Sequence, residues 1–156
     1  MKNKILYGKQ FIDQRDINSV KKSLREKFIT TGKQVLKFEN KLSETLKVKY
    51  ALSCNSGTAG LHLAFLAINL KKNDIVIMPS INFISSYRVA SLLGAKIYLT
   101  DVDPISGQMT PKNLIDCIRN NKLKKIKAVV TMYLGGYIKN TTEFYRLKKR
   151  FNFSII

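Results

Sequence analysis

A turn of small residues between a predicted strand and a predicted helix is the clearest candidate for ligand chemistry. It reads Asn55-Ser56-Gly57-Thr58-Ala59-Gly60. Backbone N–H groups at a helix start favour an anion, glycine permits close approach of the backbone, and the two hydroxyls can donate hydrogen bonds. The spacing matches neither a nucleoside-triphosphate loop nor a dinucleotide fingerprint. The turn therefore predicts either a phosphate site or an ordinary capped helix.

Two further segments follow predicted strands and could reach the same ligand. Phe83 ends the segment Pro79-Ser80-Ile81-Asn82-Phe83, where its ring could stack on a flat ligand or belong to the core. Tyr133 begins Tyr133-Leu134-Gly135-Gly136, which is either a close backbone approach to a ligand or a plain loop. In parallel α/β sheets ligands bind beyond the carboxyl ends of the strands, so these segments are expected near the turn.

Other reactive residues have structural interpretations. The one histidine, His62, lies on an apolar predicted helix and is interpreted as a core residue, so no histidine metal cluster is expected. Cys54 and Cys117 form no CxxC pair, and Cys54 is interpreted as a small core residue. Asp101-Val102-Asp103 could bind a divalent metal, but the following proline favours a strand-end turn. No metal site is predicted.

Hydrophobic periodicity defines the elements that must position these residues. It predicts a helix from Asp13 or Asp16 to about Lys27 and a second helix over 35–46. Strands and helices then alternate, which indicates an α/β fold with a largely parallel sheet. The predicted strands are 50–54, 75–78, 96–100, 128–132 and 153–156, and the predicted helices are 59–69, 84–93, 110–120 and 141–150. Gly94 is expected to end the second of these helices, Thr110 and Pro111 to cap and begin the third, and Thr141 or Thr142 to cap the last. We expect a helical lead-in over 1–46 and an α/β domain over 47–156.

Net charge and apolar content bear on whether the protein binds nucleic acid or a membrane. The chain has 156 residues with 28 Lys and Arg against 10 Asp and Glu, a net charge of +18. Such an excess can mark a nucleic-acid or membrane-surface binder, but the lysines are scattered, which favours compositional bias and disfavours nucleic acid. No apolar stretch approaches the roughly 20 residues of a membrane-spanning helix. A cytoplasmic location is expected.

The ordered set of motifs resembles one family. The segments are Thr30-Thr31-Gly32, Asn55 to Ala64, Pro79-Ser80-x-x-Phe83, Gly94-Ala95 and Asp101-Val102-Asp103-Pro104. Together they are similar to pyridoxal-phosphate (PLP) sugar aminotransferases of the DegT/DnrJ/EryC1/StrS family, in the fold-type I class. Tyr7-Gly8-Lys9-Gln10 and Gly107 to Pro111 most resemble the branch that aminates UDP-linked 4-keto-6-deoxy-N-acetylhexosamines towards pseudaminic acid.

The resemblance implies a role for each candidate residue. The fold would be the N-terminal part of a fold-type I aminotransferase large domain. Residues Ser56, Gly57, Thr58 and Ala59 would bind the PLP phosphate, and Phe83 would stack on the pyridine ring. Tyr7, Thr31, Gly32 and Tyr133 would lie near the substrate. The implied partners are a keto sugar nucleotide, an amino donor that is glutamate by analogy with the family, and a second subunit in a homodimer.

The sequence also departs from the family pattern. Tyr133 stands where the family often has histidine, and Arg88 stands where it often has asparagine. The lysine that forms the Schiff base and the aspartate that pairs with the pyridinium nitrogen are expected after Ile156, since the apolar run Phe153 to Ile156 ends as a strand begins. We therefore expect a truncated large domain that is inactive by itself. The alternative is a truncated or degenerate non-catalytic module that binds an anion or another protein.

Overall fold

The computed structural model describes Leu6 and residues 8–156, and the chain divides into two compact units, Met1–Ser53 and Cys54–Ile156. The first unit contains helices α1 (Gln14–Ser23) and α2 (Lys33–Leu46). Asp13 caps α1, because its carboxylate accepts the backbone N–H groups of Arg15 and Asp16. Neither helix contains a buried residue, and most of their apolar side chains are exposed.

The second unit is built on a four-stranded parallel sheet. The strands are β1 (Ile75–Pro79), β2 (Lys96–Thr100), β3 (Ile126–Val129) and β4 (Ser154–Ile155), in the order β2-β1-β3-β4. Its helices are α3 (Gly57–Ala67), α4 (Ile84–Leu92), α5 (Pro111–Asn120) and α6 (Thr141–Phe151), with a short 3₁₀ turn at Leu134–Gly136. The α/β class and the parallel sheet are thus confirmed.

Helices cover both faces of this sheet. Because successive strand residues point to opposite faces, Val76 and Met78 pack with Phe65 of α3 and Val89 of α4. On the other face, Ile77 and Val129 pack with Leu114 of α5 and Phe144 of α6. Burial on both sides explains why β1 is apolar throughout rather than alternating.

The order of the strands creates a switch point at the middle of the sheet. The chain leaves β1 through α4 to reach β2 on one side, and then returns through α5 to β3 on the other side of β1. Neighbouring strands whose connections diverge open a crevice at their carboxyl ends. The crevice lies beyond the ends of β1 and β3, which are followed by Phe83 and Tyr133.

The predicted strand at 50–54 is wrong. This segment is not a strand, and Tyr50 and Leu52 are each 76% exposed. The backbone N–H and Oγ of Ser53 both donate to the carboxylate of Glu39, at 2.8 and 2.9 Å. This segment therefore bonds to a side chain of α2 and not to a neighbouring strand. The described sheet has four strands instead of the five predicted.

The boundaries predicted from a glycine or a threonine are confirmed for α4 and α5 but not for α6. Gly94 follows α4 with φ +79°, as a C-terminal glycine should. Thr110 caps α5, and Pro111 is its first residue. The predicted cap of α6 at Thr141 or Thr142 is wrong, because the cap position is Asn140, with φ +58°. Among the described residues no helix is long and apolar enough to cross a membrane.

Candidate functional site

The start of α3 presents unpaired donors to the crevice edge of the sheet. Ser56 is the cap residue, and its Oγ accepts the N–H of Ala59 at 3.2 Å. The carbonyl of Ser56 accepts the N–H of Gly60. Since the first N–H groups of a helix have no acceptor within it, those of Gly57 and Thr58 are left for an anion.

Gly57 also leaves room for a ligand. A Cβ built on Gly57 meets no heavy atom within 4 Å, whereas one built on Gly60 meets Cys54 Sγ at 3.4 Å. The backbone at Gly57 is thus openly accessible, while Gly60 packs against its neighbour. Cys54 is itself exposed, so its interpretation as a core residue is wrong.

Phe83 lies at the start of α4, and its ring is exposed to solvent. It is the N-cap residue of this helix, four residues after the end of β1, and it is 72% exposed. The interpretation of Phe83 as a core side chain is therefore wrong. Next to it, the side-chain nitrogen of Asn82 is buried and has no hydrogen-bond partner in the described structure.

A hydrogen bond joins these two helix starts. Thr58 Oγ1 and Ser85 Oγ are 2.7 Å apart, and Ser85 is only 6% exposed. Because Ser85 lies two residues after Phe83, this bond ties the start of α3 to the segment that carries the exposed ring. Ser85 belongs to none of the motifs, because it has no sequence signal of its own beyond its position after a strand.

The segment after β3 is held by Gln108, to which the sequence motifs assign no role. Tyr133 is half-buried and precedes the Leu134–Gly136 turn. The buried Gln108 donates from Nε2 to the carbonyl of Tyr137 at 2.8 Å. A Cβ built on Gly107 would meet Leu134 Cδ2 at 3.1 Å, so this glycine allows the two loops to pack closely.

The remaining candidates lie in the first unit. Thr31 adopts a left-handed conformation, with φ +53°. Gly32 caps α2, and a Cβ there would stand 2.5 Å from the carbonyl oxygen of Phe28, so the turn itself requires glycine at this position. Tyr7 lies outside the described residues.

The acidic and thiol groups have local structural roles. Asp103 accepts from the backbone N–H and the Oγ of Ser106, each at 2.8 Å, and these bonds lower the pKa of the carboxyl. This geometry confirms the strand-end turn. Burial raises the pKa of the Cys117 thiol. No group of three potential metal ligands occurs in the part of the chain that the structure describes.

The site fits a phosphorylated aromatic molecule. Its donors are backbone N–H groups with an accessible glycine, and its apolar element is the exposed ring of Phe83. PLP has a phosphate that the backbone N–H groups could bind and a flat ring on which Phe83 could stack. The residues present therefore suit the cofactor that the motifs imply.

Comparisons with known proteins agree with the assignment of this site to a PLP-dependent enzyme family. A family model for the DegT/DnrJ/EryC1/StrS aminotransferase family matches residues 10–156. A UDP-4-amino-4,6-dideoxy-N-acetyl-beta-L-altrosamine transaminase of Campylobacter jejuni is 34% identical over 97% of the chain. A UDP-4-amino-4-deoxy-L-arabinose–oxoglutarate aminotransferase of Shewanella sediminis is 31% identical over 93% of the chain.

Solved structures share the fold. The PLP form of Spr1654 from Streptococcus pneumoniae, named as a sugar aminotransferase, superposes with a TM-score of 0.84 and 26% identity over 96% of this chain. The chain spans 40% of the Campylobacter relative, 36% of the Shewanella relative and 38% of the Streptococcus chain. These shares fit the expectation that the chain corresponds to one portion of a larger aminotransferase fold. Because the family match covers nearly all of the described residues, the chain belongs to the DegT/DnrJ/EryC1/StrS aminotransferase family.

Proposed function

We propose that this chain forms the phosphate-binding and ring-stacking part of a PLP-dependent aminotransferase that acts on a keto sugar nucleotide. The observation that carries the proposal is the Thr58–Ser85 hydrogen bond, because it joins the open start of α3 to the segment bearing Phe83. A non-catalytic module is disfavoured, since the family match extends over residues 10–156 and not over the anion-binding turn alone.

In this proposal each residue of the turn has a separate task. The N–H groups of Gly57 and Thr58 donate to the cofactor phosphate, with the helix dipole adding to the attraction. Ser56 holds the first turn by accepting the N–H of Ala59, which lines the site without a free donor. Phe83 stacks on the cofactor ring. When bound, PLP supplies the electron-withdrawing ring and the carbonyl carbon at which amino groups are exchanged.

The substrate side rests on the relatives. We assign Tyr7, Thr31, Gly32 and Tyr133 to the surroundings of the sugar nucleotide or of the partner subunit. Similarity to the Campylobacter transaminase supports a UDP-linked 4-keto sugar of the pseudaminic acid branch. The Shewanella relative has oxoglutarate in its name, which supports glutamate as the amino donor.

Assembly and location belong to the same proposal. A homodimer is supported by α1 and α2, which have no buried residue and expose the apolar side chains of Ile17, Val20, Leu36, Phe38 and Leu46. We retain 47–156 as the PLP-binding part and 1–46 as the helical lead-in. The location remains cytoplasmic in this proposal, and fractionation of cells that produce the protein tests it.

The cofactor part is tested with pyridoxamine 5'-phosphate and pyridoxamine, because these amines cannot condense with the many lysines of the chain. We expect the purified chain to bind the phosphorylated compound at least about tenfold more tightly, since only it can use the start of α3. Phe83→Ala should weaken binding of both compounds about fivefold, the order expected for one stacked ring. Calorimetric titration at fixed salt measures all of these affinities.

Phe11→Ala is the matched control, because Phe11 is 87% exposed and lies in the other unit. Equal binding of the two compounds, or equal effects of the two phenylalanine variants, would contradict the cofactor assignment. The substrate part is tested with the product of the complete gene, a UDP-linked 4-keto sugar and [15N]glutamate. Mass spectrometry should then find the heavy nitrogen in the sugar.

A further inference from the structure

The hydrogen bond between the hydroxyls of Thr58 and Ser85 can run in either direction. Their oxygen atoms are 2.7 Å apart, and either can be the donor. This separation is typical of an O–H···O hydrogen bond. Thr58 is exposed at the start of α3, whereas Ser85 is buried in the first turn of α4. The pair therefore has one member that a ligand can reach and one that it cannot.

An anion beside Thr58 would select one of the two arrangements. Each hydroxyl has one proton and two lone pairs. If Thr58 donates to Ser85, its own proton is used and it offers only lone pairs to the anion. If Ser85 donates to Thr58, the Thr58 proton is free to point at a phosphate oxygen. The second arrangement also polarises the outer hydroxyl, because hydrogen bonds in a chain strengthen one another.

We propose that Ser85 is a positioning residue for the cofactor phosphate: it donates to Thr58 Oγ1 and thereby aims the Thr58 hydroxyl at the phosphate. The inference rests on the proposed function, which places a phosphate at the start of α3. Ser85 does not contact the ligand. It acts through Thr58, and its place two residues after Phe83 fixes the distance between the phosphate-binding turn and the stacking ring.

The test measures binding of pyridoxamine 5'-phosphate and of pyridoxamine to the 156-residue chain and its variants. Ser85→Ala should weaken binding of the phosphorylated compound about three- to tenfold, as expected for loss of one hydrogen bond, and should leave pyridoxamine binding unchanged. Ser85→Thr keeps a hydroxyl and should restore most of the affinity. Ser86→Ala is the matched control, because Ser86 is 3% exposed at the next position.

A double-mutant cycle separates positioning from general stability. Once Thr58→Ala has removed the outer hydroxyl, Ser85→Ala should cause no further loss of affinity, because the two residues act in series. The urea midpoint of each variant shows how far folding is affected. Because none of these substitutions changes the charge, the +18 background attracts phosphate equally in all of them.

The outcomes distinguish the two proposals. If the wild-type chain does not prefer the phosphorylated compound, both the cofactor site and the role of Ser85 are overturned. If the preference exists but Ser85→Ala binds as wild type does, only the positioning role fails. It also fails if Ser85→Ala weakens both compounds equally, or if its effect is undiminished in the Thr58→Ala background.

Discussion

Asp103 shows how a single residue can combine a motif position with a structural task. Its carboxylate accepts two hydrogen bonds from Ser106, and Lys139 adds a weaker favourable charge. Bonds to the ionised form hold the pKa of Asp103 below its ordinary value. The carboxylate therefore stabilises the loop that follows β2.

Removing the Ser106 hydroxyl should raise the pKa of Asp103 towards its ordinary value, while the backbone bond keeps part of the shift. A group with a lowered folded pKa adds stability above its unfolded pKa of about 3.9 and loses it as the pH falls through the folded value. Ser106→Ala should thus be less stable than wild type near pH 7, and the difference should shrink below about pH 4.

Carbon-13 NMR titration of the Asp103 carboxyl measures the shift directly, and urea unfolding at several pH values measures the stability. Ser91→Ala, at an exposed position of α4, is the control. An unchanged pKa in Ser106→Ala would show that the hydroxyl bond does not stabilise the ionised form.

At the scale of elements, α5 and α6 allow a comparison of two threonines, Thr110 and Thr141, that the sequence predicts as helix caps. Thr110 Oγ1 accepts the N–H of Asn113, and the Asn113 side chain accepts the N–H of Thr110 in return. Thr141 is the first residue of α6 and makes no such cap, because the cap position is Asn140.

Thr110→Ala should cost about 1 kcal/mol of unfolding free energy, the usual loss for a capping threonine. Thr141→Ala should change the unfolding free energy by less than about 0.5 kcal/mol, since exposed substitutions away from caps have small effects. Urea denaturation of both variants under identical conditions provides the comparison. Similar losses in the two would contradict the assigned caps.

The same elements show what the sequence could reveal. The strand over 96–100 and the helix from Pro111 to Asn120 were predictable because local apolar runs, a threonine cap and an N1 proline all agree. The 50–54 segment has an equally apolar pattern, yet a strand also needs a hydrogen-bonding neighbour, which no local pattern encodes. Asn140 occupies the N-cap position of α6 in a left-handed conformation, which asparagine tolerates better than most residues.

The candidate site was predictable to the same degree. The small residues of the turn and the segment ending in Phe83 were found by their types and by their place after strands. The roles of Ser85 and Gln108 were not predictable, because they depend on partners 27 and 29 residues away in the chain. Such contacts exist only once the helices have packed on the sheet.

At the scale of the whole molecule, the exposed apolar residues of α1 and α2 should decide the oligomeric state. If these helices form part of the proposed dimer interface, a charge placed there will weaken association, because burying an unpaired charge is costly. Combining Ile17→Asp with Val20→Asp should shift the chain towards monomer. Size-exclusion chromatography with light scattering over a range of concentrations measures the shift.

Asn18→Asp is the control, because this exposed residue lies between the two substituted positions on the same helix. Unchanged association in the double variant would exclude this face of α1 from the interface. Circular dichroism of each variant confirms that α1 and α2 still form.

The bond between Gln108 and Tyr137 has a mechanical consequence. It links the loop after β2 to the loop after β3, and these two strands flank β1 on either side. Gln108 also stands two residues before the Thr110 cap, so the bridge is anchored to the start of α5. A displacement of the Tyr133 segment would therefore strain this hydrogen bond or shift the start of α5, so the positions of the two loops are coupled across the end of β1.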